Sequence, residues 1–300
     1  MSLPGGDPTA KPTRDSGRIR ASVHLAYENR TSAYRGSARI DNKLGEDTTI
    51  TTLSPSISMG VLANVSVLLA IPIVHFDYQI LEHQDRDGQA LPDYQEDEFG
   101  LGDMTLACMW SPPLLATTEH HAWFGFGASV PTAEERDYPA LRGAEFGEVL
   151  SLGSGTWDPL FMHGFGFKGL QLDWVGSVFF RWSAYENQFG YRAGSVVQSW
   201  FGASHRFDTT QTQLLLRLGY RHQWRARRDG VDVLNSGGDW VSIAPDFKWD
   251  VKPGIQLQVS VELPLWRDIY AAPNGVDQLV NGQTDADQRW QIGLVYELPN

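Results

Sequence analysis

Residues 254–266 read GIQLQVSVELPLW, and their polarity alternates residue by residue. Ile255, Leu257, Val259, Val261, Leu263 and Leu265 fall on one side of an extended chain; Gln256, Gln258, Ser260 and Glu262 fall on the other. A period of two marks a strand whose faces meet different surroundings. Twelve segments carry the pattern, at approximately 18–31, 47–59, 64–79, 101–111, 120–131, 156–167, 170–184, 193–206, 211–226, 239–250, 254–267 and 287–298. The third is the least regular, because its phase slips near Pro72, where a bulge is expected. So many two-faced strands build either a soluble sandwich or a barrel.

The connections decide between them. Long polar stretches follow the first, third, fifth, seventh, ninth and eleventh segments, whereas short turns such as Gly60–Ala63, Lys168-Gly169, FDTTQ and DVKPG follow most of the others. Both termini then fall on the short-turn side. Long external loops and short periplasmic turns are the wiring of an outer-membrane barrel. Aromatic residues agree with it: eleven Trp, fourteen Phe and ten Tyr stand among thirty Gly. Trp174 and Trp182 share the apolar face of one segment. At about 3.3 Å per residue and a tilt of about 40°, they are separated by roughly 20 Å of height, close to the span between two interfacial girdles. Trp110, Trp224, Trp249 and Trp290 are expected near strand ends on the same side. The expected fold is therefore an all-β, transmembrane, antiparallel barrel of about 12 strands in a bacterial outer membrane, with lipid and lipopolysaccharide outside it.

Composition removes other classes. The 300 residues contain no run of the 18 or so apolar residues that a transmembrane helix needs, and Val67–Val74 is interrupted by Pro72. A mean hydropathy of −0.30 is compatible with a barrel, since only alternate strand residues face lipid. The net charge of −12 argues against a nucleic-acid partner. The single Cys108 forbids an internal disulfide and cysteine-rich metal sites, and its neighbours Met104, Leu106 and Trp110 place it on an apolar face. Residues 1–17 lack the apolar stretch of a secretory signal and read as a flexible segment ahead of a barrel over 18–298.

Three stretches resemble the outer-membrane transporter-like family named for the MetA pathway of phenol degradation. They are Phe99-Gly100-Leu101-Gly102-Asp103, then Gly127-Ala128-Ser129-Val130-Pro131-Thr132, then Gly153-Ser154-Gly155-Thr156-Trp157-Asp158-Pro159. The segment GVLANVSVLLAIPIVHF is similar to the strand that precedes them in that family, with Ala63-Asn64 in place of its Thr-Asp turn. Ala133 stands where the family has Gly after Pro-Thr. The ordered set covers most of residues 55–220, and what it implies is a barrel that passes small organic molecules. At the other end, Gly293-Leu294-Val295-Tyr296-Glu297-Leu298 resembles a barrel-assembly signal, but Pro299-Asn300 follow where an aromatic usually closes it.

Nothing in the pattern points to an enzyme or to a cofactor. Ser204 and His205 are adjacent, hence on opposite faces, and cannot form a nucleophile–base pair. His120 and His121 diverge for the same reason, and Asp85-Arg86-Asp87-Gly88 lacks the remaining ligands of a calcium loop. The functional lead is the charge on inward faces. Arg217, Arg221 and Arg225 recur every fourth residue on one polar face, with Asp246 and Glu262 on neighbouring strands. Asp173 and Arg181 share the polar face of the seventh segment, and Asp158 is expected at the mouth of the sixth. Arg18, Arg20, His24, Glu28 and Arg30 on the first strand are expected beside Arg289 and Glu297 on the last. These charges either line a path that steers anions or knit a salt-bridged interior. The first makes the protein a channel or transporter for small molecules. The alternative is a structural barrel that sheathes or anchors a protein partner.

Overall fold

In the computed structural model, which describes residues 16–42, 45–80, 94–115, 117, 119–134, 152–233, 236–270 and 283–298, the alternating segments form twelve wall strands. They are β1 (Ile19–Arg35), β2 (Asp47–Leu62), β3 (Val65–Ala70 continued by Ile73–Ile80), β4 (Tyr94–Leu101 continued by Met104–Trp110), β5 (His120–Val130) and β6 (Asp158–Lys168). The wall goes on through β7 (Asp173–Arg181), β8 (Val196–Phe207), β9 (Thr212–Gln223), β10 (Gly238–Lys252), β11 (Ile255–Ile269) and β12 (Gln283–Glu297). Each strand pairs antiparallel with the next, and β1 pairs with both β2 and β12, so the sheet closes on itself. Residues 1–15, the acidic stretch 81–93 with Asp85–Gly88, and most of the segment after β5 lie outside the described residues.

Alternation maps onto the two sides of the wall. In β9, Leu214, Leu216 and Leu218 are about half exposed, while Leu215 and Arg217 between them are buried. In β12, Trp290, Ile292, Leu294 and Tyr296 are exposed against buried Gly293 and Val295. Trp157, Trp182, Trp224 and Trp266 cluster outward toward the long-loop end, and Trp110 and Trp249 toward the turn end. Trp290, in contrast, lies inside its strand opposite Tyr27 and Val261, because β12 begins at Gln283, four residues before the sequence pattern becomes regular. The tight turn between β2 and β3 is made by Asn64 with φ of 64°, a left-handed conformation that Asn tolerates better than most residues.

Two strands are broken where one was expected to bulge. β3 stops at Ala70 and resumes at Ile73 around Pro72, which has no N–H to give to the ladder. The phase survives, since Ser66, Ala70, Phe76 and Tyr78 are all buried. β4 breaks beside it, and Gly102 N–H donates to Pro72 O at 2.8 Å to stitch the gaps together. A Cβ on Gly102 would meet Pro72 Cγ at 3.0 Å and Leu152 O at 3.3 Å, so this close approach favours glycine. Above the break the upper half of β4 pairs only with β3 among the described residues, and β5 reaches up only to Val130, opposite Met104.

A true bulge occurs in β11. The register passes from Val241↔Trp266 to Ser242↔Pro264, leaving Leu265 as the extra residue. Below it Ser260 and Glu262 face inward; above it the parity flips and Arg267 and Ile269 are buried instead. Similar shifts flank Arg30 where β1 meets β12.

Candidate functional site

The inward face is divided into two walls. On β3 to β7, Leu68, Ala107, Met109, Trp123, Leu160, Met162 and Phe179 pack into one apolar cluster. On β9 to β12 and β1, inward positions carry charge. Arg217 and Asp246 meet across β9 and β10, both more than nine-tenths buried, with Arg217 Nη2 donating to Asp246 Oδ1 at 2.6 Å and Nε donating to Oδ2. Arg217 Nη2 also reaches Ser260 Oγ at 3.3 Å, and the guanidinium lies 4.8 Å from the centre of the Trp200 ring. Gly219 leaves room for that ring, since a Cβ there would meet Trp200 Cζ3 at 2.4 Å. Two fork-shaped hydrogen bonds and an aromatic floor hold this arginine in one orientation.

Closer to the long-loop end, a second group centres on Glu28. Its carboxylate accepts from Arg30 and from Arg289 Nε, the latter at 2.7 Å. Arg289 extends toward Glu262 at 3.8 Å and Asp285 at 3.9 Å. Asp285 in turn receives Trp240 Nε1 at 2.8 Å and pairs with Arg267 at 3.1 Å. Arg267 sits over the Tyr34 ring at 4.0 Å, and Tyr34 and Ser32 donate to Asp287 at 2.8 and 2.7 Å. At the turn end, Arg18 pairs with Glu297 at 2.9 Å, joining first strand to last.

The three arginines of β9 and its extension part company. Arg217 is ion-paired. Arg221 makes no ion pair with a described residue; it donates to Gln223 and lies 4.9 Å from the centre of the Trp240 ring. Arg225 leaves the line altogether, because β9 ends at Gln223. Its guanidinium stacks over Tyr270 at 5.3 Å, and Tyr270 belongs to an outward group in which Tyr220 and His222 bond Asp239 at 2.6 and 2.8 Å. Burial, then the Asp239 carboxylate, holds the Tyr270 phenol above its ordinary range.

Asp158, Arg181 and Asp173 lie apart from this wall. Asp158 is fully buried at the head of β6, where it accepts from Thr156 Oγ1 at 2.6 Å and Ser183 Oγ at 3.3 Å, with Arg181 Nε at 3.8 Å. Asp173 begins β7 at the turn end, opposite Lys168 and Ser204. Ser204 faces inward and receives Gln213 Nε2 at 2.8 Å, whereas His205 points outward to Gln171 O. The two therefore act in different places.

The three motifs behind the family resemblance converge on one junction. Asp103 Oδ2 accepts from Ser154 N–H at 2.6 Å and from Ser154 Oγ at 2.8 Å. Thr132 Oγ1 donates to Gly102 O at 2.8 Å and accepts from Met104 N–H at 3.0 Å, while Leu152 packs on Gly100. The FGLGD stretch thus ties down the end of one long connection and the start of the strand after it. Alternation alone does not show that these residues touch, because they lie on separate segments. Alternation over 287–298 also leaves out Arg267, Asp285 and Tyr34; the Asp285-Ala286-Asp287 alternation at the start of β12 was the available signal for the second.

No protein-family model matches the chain, and no curated protein matches it. Among solved structures, an outer-membrane channel from Pseudomonas putida F1 superposes with a TM-score of 0.68 at 15% identity, covering 98% of this chain and 98% of that one. A FadL homologue of Pseudomonas aeruginosa gives a TM-score of 0.48 at 11% identity, covering 93% and 90% of the two chains. The first likeness identifies the fold as an outer-membrane β-barrel.

Proposed function

We propose that the barrel resides in a bacterial outer membrane and gives small organic solutes a passive route across it. The observation that carries this reading is the division of the lumen, with the apolar cluster around Trp123 and Phe179 on one wall and the Arg217–Arg289 charges on the other. A solute with an apolar body and a polar group finds a complement on each side. The outward band of leucines and tryptophans suits lipid, and the polar groups at its upper rim suit the lipopolysaccharide headgroups. The reading accords with the channel of Pseudomonas putida F1 that shares the fold.

The closed pairing of Arg217 with Asp246 favours a second reading, a stiffened barrel that sheathes or anchors a partner. Reconstitution separates the two. Purified in detergent and checked for folding by its faster migration when unheated, the protein is expected to produce discrete conductance steps in planar bilayers. It is also expected to let liposomes swell in small organic solutes. Folded, inserted protein that does neither supports the sheath.

A further inference from the structure

We infer that Arg221 is the anion-holding group of a lumenal subsite for small organic carboxylates, an inference that rests on the channel reading for its place in transport. Arg221, Trp240, Ser242, Pro264, Ala286 and Arg289 surround a recess of about 260 Å³, counted with its open mouth. Most of that space belongs to the open mouth, so the recess itself admits little more than a carboxylate group and the body of a ligand stays in the mouth, on the lumen side.

The charges around the recess are not equally committed. Glu28 is bonded by Arg30 and Arg289, and Asp285 by Arg267 and Trp240. Glu262, which also lines the recess, has Arg289 at 3.8 Å. Arg221 is the exception. Among the described residues it has no carboxylate partner, and its buried Nε has no hydrogen-bond acceptor. A buried cationic donor without an acceptor is costly, and a ligand that supplies one recovers that cost on binding. A carboxylate matches the guanidinium fork, which neutral hydroxyls and amides do not match as well.

The rest of the lining meets the body of the ligand. Trp240 is fixed by its bond to Asp285 and holds the Arg221 guanidinium plane 4.9 Å from its ring centre. Pro264 and Ala286 add apolar surface to the lining. A carboxylate on Arg221 therefore leaves its apolar body against Pro264 and Ala286, with Ser242 as a further polar contact. Arg217 cannot serve this role because Asp246 already occupies its fork.

The test uses benzoate as probe and benzyl alcohol as its neutral counterpart, titrated calorimetrically into the detergent-solubilised barrel. Wild type is expected to bind benzoate saturably and benzyl alcohol at least tenfold more weakly. Arg221→Gln is expected to weaken benzoate binding tenfold or more, and Arg221→Lys, which keeps the charge but loses the fork, by a smaller factor. Arg227→Gln, on the external hairpin where Arg227 pairs with Asp232, should bind as wild type does. Heat-modifiable migration verifies folding of each variant, and Arg221→Lys carries the comparison if the Gln variant does not fold. Benzoate binding that is absent from wild type, unchanged in the Arg221 variants, or matched by benzyl alcohol overturns the subsite. Bilayer recordings keep the two readings apart. Arg221-dependent binding in a barrel that never conducts upholds the subsite and overturns the channel; conduction without benzoate binding does the reverse.

Discussion

The carboxylate of Asp103 accepts both the backbone N–H and the hydroxyl of Ser154, 51 residues further along the chain. Asp103 sits at the break in β4, and Ser154 in the stretch that leads down into β6, so one buried acceptor closes the largest connection in the barrel onto its wall. Three nearby donors or acceptors, Thr132, Ala133 and Thr156, complete the junction.

Removing that acceptor should therefore be felt locally and globally. Asp103→Ala strips the acceptor from the buried Ser154 N–H and leaves the Ser154 hydroxyl only its longer bond to Thr156 O at 3.3 Å, which costs roughly 2–3 kcal/mol. Asp103→Asn retains an acceptor oxygen and should lose less. The urea midpoint of the folded barrel should fall in that order, Ala below Asn below wild type, and limited proteolysis should cut near Ser154 first in the Ala variant. Equal midpoints for all three would show that the junction contributes nothing to stability.

The buried pair on the opposite wall predicts strong coupling. Arg217→Gln or Asp246→Asn alone strands a charge in a buried site, a loss of about 3–5 kcal/mol. Changing both removes both charges together, so the double variant should be markedly more stable than the sum of the single losses. A double-mutant cycle of unfolding free energies measures this directly, and additive losses would mean that the pair is not coupled.

How much of this was legible in the sequence depends on whether a residue obeys the period. Strand number, closure and facing followed from alternation, because in β9 or β12 each step of one residue moves a side chain to the other side of the wall. The inward placement of Glu28 beside Arg289 followed in the same way. What escaped was set by departures from the period. The extra residue Leu265 turned Arg267 inward, and the end of β9 at Gln223 let Arg225 swing out to Tyr270. Contacts between loop and strand escaped as well: Asp103 and Ser154 belong to segments whose phases say nothing about each other. Pro72 was visible as an irregularity, but its outcome as a stitched break depended on Gly102 approaching from the next strand.

Orientation is open to a labelling experiment. All the described turns between Leu62 and Val65, Lys168 and Asp173, Phe207 and Thr212, and Lys252 and Ile255 lie at one end, together with Arg18 and Glu297. The hairpin carrying Val231 lies at the other, and Val231 is 69% exposed. Cys108, which is exposed on the outward face, is first replaced by Ser. In that background Val231→Cys should react with an impermeant thiol reagent on intact cells, whereas Lys168→Cys should react only after the outer membrane is opened. The reverse order would invert the barrel.

The three arginines offer the sharpest separation of roles, because their surroundings differ while their chemistry does not. Arg221 carries a positive charge with no ion-pair partner among the described residues, so Arg221→Gln should shift the reversal potential of the conducting barrel toward cation preference. Arg217→Gln should shift it in the same direction for another reason, since it leaves the Asp246 carboxylate without its partner. Arg217→Gln combined with Asp246→Asn removes one charge of each sign and should return selectivity close to wild type. Arg225 stacks on Tyr270 among outward residues, so Arg225→Gln should change selectivity little. All four are read in planar bilayers under a salt gradient, most clearly at about 0.01 M, where the screening length reaches about 30 Å. A shift from Arg225→Gln as large as that from Arg221→Gln would place Arg225 on the path. Failure of the Arg217–Asp246 double variant to restore selectivity would mean that it is wall geometry at this pair, and not its charge, that governs passage.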